Sequence, residues 1–282
     1  MRKILSKEEL VTPKSVKFLY NTAIGKICLK VITLRFISKI AGKYLDSKLS
    51  RGRIKKYIKN NNIDMSLFIE EDYKSFNDFF TRRIKPENRP FTLDENEFPS
   101  PCDGKVSAYV INENTEFEIK GFTYNVETLL RNKELADKYK GGYCIVLRLS
   151  VEDYHRYFYI DECTKNDNTF IKGRLHTVQP HALSKRKVFS ENCREYTIMH
   201  TKNFGDITQV EVGAMMVGRI VNNHNSGSYS RGEEKGKFEF GGSTIVLLVE
   251  KDKVKFDEEF FVNTQNDDET YVLCGERIGY KK

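Results

Sequence analysis

Nowhere in this 282-residue sequence do apolar residues run unbroken for the roughly 18 positions that a membrane-crossing helix needs. No apolar leader ahead of a small-residue cleavage site opens the chain, so a secreted product is not expected. Cys28, Cys102, Cys144, Cys163, Cys193 and Cys274 form no Cys-x-x-Cys pair, and the expectation is unpaired thiols in a reduced, cytosolic setting. Gly-x-Gly-x-x-Gly, P-loop and His-Glu-x-x-His patterns are missing, which leaves nucleotide and zinc chemistry without support. No internal repeat is visible. What is present suffices for a sizeable core, since 39% of the residues are hydrophobic and 12% aromatic.

The net charge of +7 is unevenly spread. Residues 1–59 hold 16 Lys and Arg against Glu8, Glu9 and Asp46, while the rest of the chain is net acidic. A basic segment on a mildly acidic body suits an anionic surface, membrane or nucleic acid, although a solvated charged face explains charge alone just as simply. The same segment carries Ile24, Ile27, Cys28, Val31 and Leu34 at helical spacing, interrupted by Lys26, Lys30, Arg35, Lys39 and Lys43. Such a stripe either lies on a leaflet, where apolar burial and Lys/Arg near anionic headgroups both contribute, or packs on the protein's own core. The sequence up to this point supports the two equally.

Helical periodicity dominates to about Ile84. Pro86 and Pro90 then mark an ordered connection, since proline cannot donate a backbone hydrogen bond. From Ser100 onward, β-rich runs alternate with turns: 105–111, 116–119, 143–149, 209–212, 217–221, 237–240 and 244–249, with one helix expected over 126–140. The polar stretch 222–231 reads as a mobile loop. The expected fold is α+β, a helical N-terminal membrane-facing layer over residues 1–84 on a compact, mostly antiparallel β body over residues 85–282.

The densest motif is Lys235-Gly236-Lys237-Phe238-Glu239-Phe240-Gly241-Gly242-Ser243-Thr244. Glycine opens backbone conformations closed to other residues, so the Ser243 hydroxyl could reach the Gly242 carbonyl. An ester formed there would open by β-elimination and hydrolyse to a pyruvoyl group. On these residues alone, an ordinary Gly-Gly turn between hairpin strands is the simpler reading.

Several ordered motifs together resemble the phosphatidylserine decarboxylase family. Gly241-Gly242-Ser243-Thr244 is similar to its processing site, Phe76-Asn77-Asp78-Phe79-Phe80-Thr81-Arg82 with Lys85-Pro86 and Arg89-Pro90 to its N-terminal signature, and Ser100-Pro101-Cys102-Asp103-Gly104-Lys105 to its aspartate turn. Asp153-Tyr154-His155-Arg156 resembles its histidine motif. Val178-Gln179-Pro180, Glu191-Asn192-Cys193-Arg194-Glu195 and Val212-Gly213-Ala214-Met215-Met216-Val217-Gly218 match its core blocks. The likeness runs from about Tyr20 to Gly279.

The resemblance implies a self-cleaving proenzyme, cut between Gly242 and Ser243, whose two fragments stay together. It implies decarboxylation of phosphatidylserine to phosphatidylethanolamine and CO2 in phospholipid biosynthesis, with a covalent pyruvoyl group from Ser243 and neither metal nor pyridoxal phosphate. A pyruvoyl ketone condenses with the substrate amine and takes up electrons as the carboxylate departs. Asp103, His155 and Ser243 are the implied catalytic residues. Asp103 would be the carboxylate that orients a base, and its bland alternative is an Asp-Gly turn. The family carries a second histidine three residues after the first, as the relay base for self-cleavage, where this chain has Phe158. His155, implied to handle protons in decarboxylation, would then have to serve in processing too, or His176 would. A strand over 153–158 would turn residues 155 and 158 to opposite faces, so His155 could not simply inherit the vacant position. His181, His200 and His224 read as packing residues.

A peripheral location on the cytoplasmic face of the cell membrane follows as an expectation. Phosphatidylserine in an anionic membrane is the expected partner, a homodimer is compatible, and no nucleic acid is expected, because a nucleic-acid binder accounts for none of the later motifs. Two rivals are a non-catalytic lipid-surface protein on the same fold, for which Phe158 speaks, and a serine hydrolase, which lacks a Gly-x-Ser-x-Gly elbow around Ser243.

Overall fold

The structure, a computed structural model, describes residues 2–6, 12–215, 219–240 and 243–282, with Arg35 described by its backbone alone. Gly241, Gly242 and the Met216-Val217-Gly218 part of the core block lie outside the described residues. The N-terminal layer contains α1 (Lys14–Asn21), α2 (Ala23–Ile32) and α3 (Arg35–Asp46). Thr22 separates the first two, its hydroxyl accepting from Gly25 N at 2.9 Å as the cap of α2. A Cβ at Gly25 would collide with the Phe18 carbonyl, so only glycine permits this close crossing of α1 and α2.

After a further short helix at Ile54–Asn60 comes α4 (Phe76–Phe80), capped by the Ser75 hydroxyl. The body then supplies β1 (Gly104–Val110), β2 (Tyr143–Leu149), β3 (Arg156–Phe158), β4 (Arg194–Thr201), β5 (Gly205–Val212), β6 (Glu234–Phe238), β7 (Ser243–Val249) and β8 (Glu269–Val272). In the ten-stranded sheet the central order is β8-β1-β2-β7-β5-β4, every neighbour antiparallel. Strand β6 joins β3 and Ile220–Asn222 in a separate three-stranded sheet. The α+β architecture and the antiparallel body match the expectation.

Alternation along β7 divides the core. Ile245, Leu247 and Val249 pack on one face with Ile145, Leu147 and Phe238, while Val246 and Leu248 pack on the other with Val146, Val210 and Tyr139. Such double-sided burial is why β2 and β7 read as continuous apolar runs. The single helix expected over 126–140 is two short ones, Val126–Leu130 and Lys133–Asp137. Arg131 breaks it with a left-handed backbone (φ +52°), and Asn132 caps the second piece through Leu135 N. The stretch 222–231, expected to be a mobile loop, contains the strand Gly227–Tyr229, which pairs with Cys163–Lys165 and so is anchored by ladder bonds. All six cysteines are thiols.

The apolar stripe faces outward. Ile24, Ile27, Val31, Phe36 and Ile40 are 51–68% exposed, while Tyr20 and Leu29 alone in α1 and α2 enter the core as buried side chains. That geometry removes the reading in which the stripe packs on the protein's own core. No described helix is long and apolar enough to cross a membrane.

Candidate active site

Ser243 opens β7 and pairs with Leu149 at the end of β2, so the turn that follows β2 lies alongside it. That turn holds Asp153 and His155. The Asp153 carboxylate accepts from Ser150 N (2.6 Å), Lys105 Nζ (2.7 Å) and the Tyr271 hydroxyl (3.2 Å), which fixes the turn between β1 and β8. Next to this network Arg148 forms a buried ion pair with Glu269. Burial raises the Asp153 carboxyl above its ordinary range, with Lys105 opposing.

The Asp153 carbonyl lies 2.8 Å from His155 Nδ1. A carbonyl only accepts, so Nδ1 carries the proton and Nε2 keeps its lone pair. Nε2 is buried and has no hydrogen-bond partner among the described residues, and the same holds for Ser243 Oγ. Burial, assisted by the Arg82 and Lys105 charges, lowers the imidazole from 6.5 to about 3, so it is neutral across the physiological range. Phe80 covers the ring at 4.1 Å between centroids. A neutral base and a serine hydroxyl are thus both buried, the base in the turn that follows the register partner of Ser243.

The segment leading to Ser243 is gripped by the aromatic motif of α4. Phe238 N donates to the His155 carbonyl (2.9 Å), and Phe240 N to Asn77 Oδ1 (3.1 Å). The Phe240 ring lies against Phe76, Phe80 and Tyr57 at 5.0–6.1 Å. Asn77 Nδ2 in turn donates to Asp46 at the end of α3 (2.8 Å). Beside His155, Arg82 is buried over Phe68 and Phe79, and its Nε and Nη1 have no partner among the described residues.

Asp103 is held elsewhere. Its carboxylate receives a bidentate pair from Arg89 (2.7 and 2.6 Å) and a bond from Cys274 N (2.8 Å). It precedes β1, two strand steps from β7 across β2, or about 10 Å of backbone. The group orienting His155 is therefore the Asp153 carbonyl, in place of the expected Asp103 carboxylate. Phe158 projects away from His155, its ring against Phe91 and Tyr154 and its N–H on the Pro101 carbonyl (2.9 Å), close to the Asp103 turn. The two positions do diverge, as strand alternation requires.

His176 is not brought to Ser243. Its carbonyl accepts from Met215 N (3.2 Å) and its N–H donates to Asn192 Oδ1 (2.9 Å), while Ser243 Oγ has no hydrogen-bond partner among the described residues. Its ring is also engaged, Nδ1 with the Tyr20 hydroxyl at 3.2 Å and Nε2 3.5 Å from Glu191. His200 pairs with Asp206, His181 meets Asn21, and His224 stacks on Tyr229, all packing or surface roles. Lys105, Tyr271, Asn77 and Arg82 escaped sequence reasoning as site residues. Only membership of Asn77 and Arg82 in the α4 motif, and of Lys105 in the aspartate turn, hinted at them.

A cavity of about 340 Å³ opens between α3 and the sheet, lined by Lys39, Lys43, Gly213, Arg219, Ile220 and Glu239 among others. Gly213 follows Val212, the partner of Thr244, so this cavity adjoins the start of β7. Among the described residues no group of three or more His, Cys, Asp or Glu is arranged to hold a metal ion.

A family model described as phosphatidylserine decarboxylase matches residues 76–280, starting at the first residue of α4. The chain is similar, at 43% identity over 265 residues, to phosphatidylserine decarboxylase proenzyme 2 of Clostridium acetobutylicum, covering 94% of this chain and 91% of that protein. It is similar, again at 43%, to the phosphatidylserine decarboxylase proenzyme of Clostridium novyi over 285 residues, 99% of this chain and 97% of the relative. The proenzyme of Clostridium botulinum strain Hall is 43% identical over 281 residues.

Proposed function

The chain belongs to the phosphatidylserine decarboxylase family, and from that premise we propose that it cleaves itself between Gly242 and Ser243 and decarboxylates phosphatidylserine to phosphatidylethanolamine. The observation that carries this reading is a pair of buried atoms without a hydrogen-bond partner among the described residues, Ser243 Oγ and His155 Nε2, the second in the turn that follows Leu149, the register partner of Ser243. Buried polar atoms without partners are costly, by about 1–3 kcal/mol each, and a site that retains two of them has a use for them.

His155 Nε2 takes the Ser243 hydroxyl proton as Oγ attacks the Gly242 carbonyl carbon. The Gly242–Ser243 C–N bond breaks, the proton passes to the Ser243 nitrogen, and the acyl group rests on Oγ as an ester. Loss of the Ser243 Cα proton with departure of the Gly242 carboxylate leaves a dehydroalanine. Water then releases ammonia and leaves a pyruvoyl cap on residue 243. This ketone supplies an electrophile that binds the substrate amine and accepts the electrons of the breaking C–C bond. Asn77 and the α4 aromatics hold Phe240, and with it the approach to the cleavage point, while Asp153 and Lys105 hold the turn that aims His155. We assign substrate approach to the cavity beside Gly213, where Lys39, Lys43 and Arg219 meet anionic groups of the headgroup.

We further propose that residues 1–84 form a membrane-facing layer and residues 85–282 the catalytic body, with the protein peripheral on the cytoplasmic face of the cell membrane. Exposed Ile24, Ile27, Val31, Phe36 and Ile40 beside a surplus of lysine and arginine support this. Intact-mass spectrometry tests the proposal as a whole: two fragments, 1–242 and 243–282, are expected, the second blocked at its N-terminus and reactive with carbonyl reagents. Ser243→Ala should give a single chain without activity. Wild-type protein present only as the full-length chain overturns the reading.

A further inference from the structure

A second cavity, of about 350 Å³, lies on the other flank of α2. Its floor is buried, made by Tyr20, Leu29, Thr33 and His176, and its rim is cationic: Lys26 and Lys30 from α2, with Arg174, Lys185 and Arg186 from the facing segment. Among the described residues no carboxylate lines it; Glu191 lies behind Arg186 (2.8 Å) and His176 (3.5 Å), which share it. Among the described residues Lys26, Lys30, Arg174 and Lys185 meet no carboxylate, although Arg174 also donates to the Lys30 carbonyl at 3.2 Å. Like charges gathered round one concavity repel unless an anion joins them. His176 reports the same field, since burial and then the Arg186 charge lower it to about 4.

We infer that this cavity is a second, non-catalytic site for the phosphate group of an anionic phospholipid. The inference rests on the peripheral-membrane reading. Ile24, Ile27 and Val31 project from the helix that supplies Lys26 and Lys30, so a phosphate in the cavity stands beside an apolar surface able to receive acyl chains. Its volume lies at the small end of ligand pockets, the size of a headgroup. It is distinct from the cavity assigned to substrate approach, since none of its residues lines the cavity beside Gly213 and the His176 ring is turned to Tyr20 and Glu191.

The test uses the full-length protein and dihexanoylphosphatidylglycerol below its micelle concentration, followed by calorimetry. Lys26→Gln/Lys30→Gln/Lys185→Gln should weaken binding by about tenfold or more, since each cation near an anionic headgroup contributes about 1 kcal/mol. Lys55→Gln/Lys56→Gln/Lys59→Gln, on exposed lysines of the helix at residues 54–60, should change it by less than about twofold. Equal losses in the two variants would mean diffuse electrostatics and overturn the site. Inorganic phosphate should compete, but far more weakly than the lipid, and equal affinity would assign the cavity to free phosphate instead. Hydrogen exchange on the complex should slow at residues 20–33 and 174–186, and slowing confined to residues 149–158 and 234–249 would move the lipid to the reactive end. Ile24→Ser/Ile27→Ser/Val31→Ser separates this inference from the membrane reading, because it should release the protein from vesicles and weaken short-chain lipid binding while leaving the affinity for inorganic phosphate, which needs no apolar surface, unchanged.

Discussion

The reactive end of the sheet and the helical layer break the ordinary rule of burial in opposite directions. Around His155 and Ser243, polar atoms are kept buried and without a hydrogen-bond partner among the described residues. Along α2 and α3, large apolar side chains are kept wet, with Ile24 and Phe36 each 68% exposed. Neither state is what folding alone favours, since unpaired buried polar atoms and exposed apolar side chains both destabilise a free protein. Departures of this kind collect where a second party completes the structure. On the function proposed above, the second party at the sheet is the reacting carbonyl, and at the helices a bilayer. Each of the following experiments removes one side of this contrast.

The largest effect is expected at the reactive end. His155→Ala should slow self-cleavage by about 10²–10⁴-fold, the usual worth of a positioned base, whereas His176→Ala should leave it within about twofold. A time course of fragment appearance compares them directly. The pH profile adds a sharper criterion. The base acts when neutral, and burial lowers His155 from 6.5 to about 3, so cleavage should hold steady from pH 8 to pH 5. A tenfold fall per unit below pH 6.5 would mean an ordinary exposed histidine and would sink this assignment. The same shift has a stability consequence of defined sign. Between pH 6.5 and about 3 the unfolded chain binds a proton that native His155 refuses, so its contribution to stability is present above pH 6.5 and falls by about 1.4 kcal/mol per unit on acidification.

How much of this was readable from the residues differs between the two regions. Strands β2 and β7 were legible because both of their faces are buried in apolar contacts. Strand β4 was not, because its inward positions include Arg194, whose guanidinium is satisfied by the carbonyls of Leu129, Ser190 and Asn192 rather than by apolar burial. Ser243, His155 and Asp103 were identified through motif resemblance. Their partners were not, since the bonds from Lys105 and Tyr271 to Asp153 join residues 48 and 118 positions apart. The helical spacing of Ile24, Ile27 and Val31 was plain, yet periodicity carries no information on which way a stripe faces.

An intermediate effect is expected from the helical layer. Ile24→Ser/Ile27→Ser/Val31→Ser removes three exposed apolar side chains, and if each contributes about 1 kcal/mol of partial burial in lipid, vesicle affinity should fall about 100-fold. Flotation with phosphatidylserine-containing liposomes measures this, and self-cleavage in solution should not change. Undiminished flotation would show that the exposed face has another purpose. A simultaneous loss of self-cleavage would show that the two regions are not separable.

The smallest predicted effect concerns the side chain that joins them. Asn77 accepts from Phe240 N with one amide atom and donates to Asp46, at the end of α3, with the other. Phe240 is also held by Phe76, Phe80 and Tyr57, so loss of one hydrogen bond loosens the approach to Ser243 without releasing it. A single bond of this kind contributes about 1 kcal/mol, which sets an expected slowing of self-cleavage near tenfold or below in Asn77→Ala. Asn77→Asp separates the two halves of the bridge: it keeps the acceptor for Phe240 N, loses the donor to Asp46 and adds repulsion there. If the grip on Phe240 is what matters, Asn77→Asp should cleave at close to the wild-type rate while Asn77→Ala lags. If instead both lag equally, the link to α3 controls the cleavage segment, and the helical layer is part of the processing machinery rather than a separate membrane device.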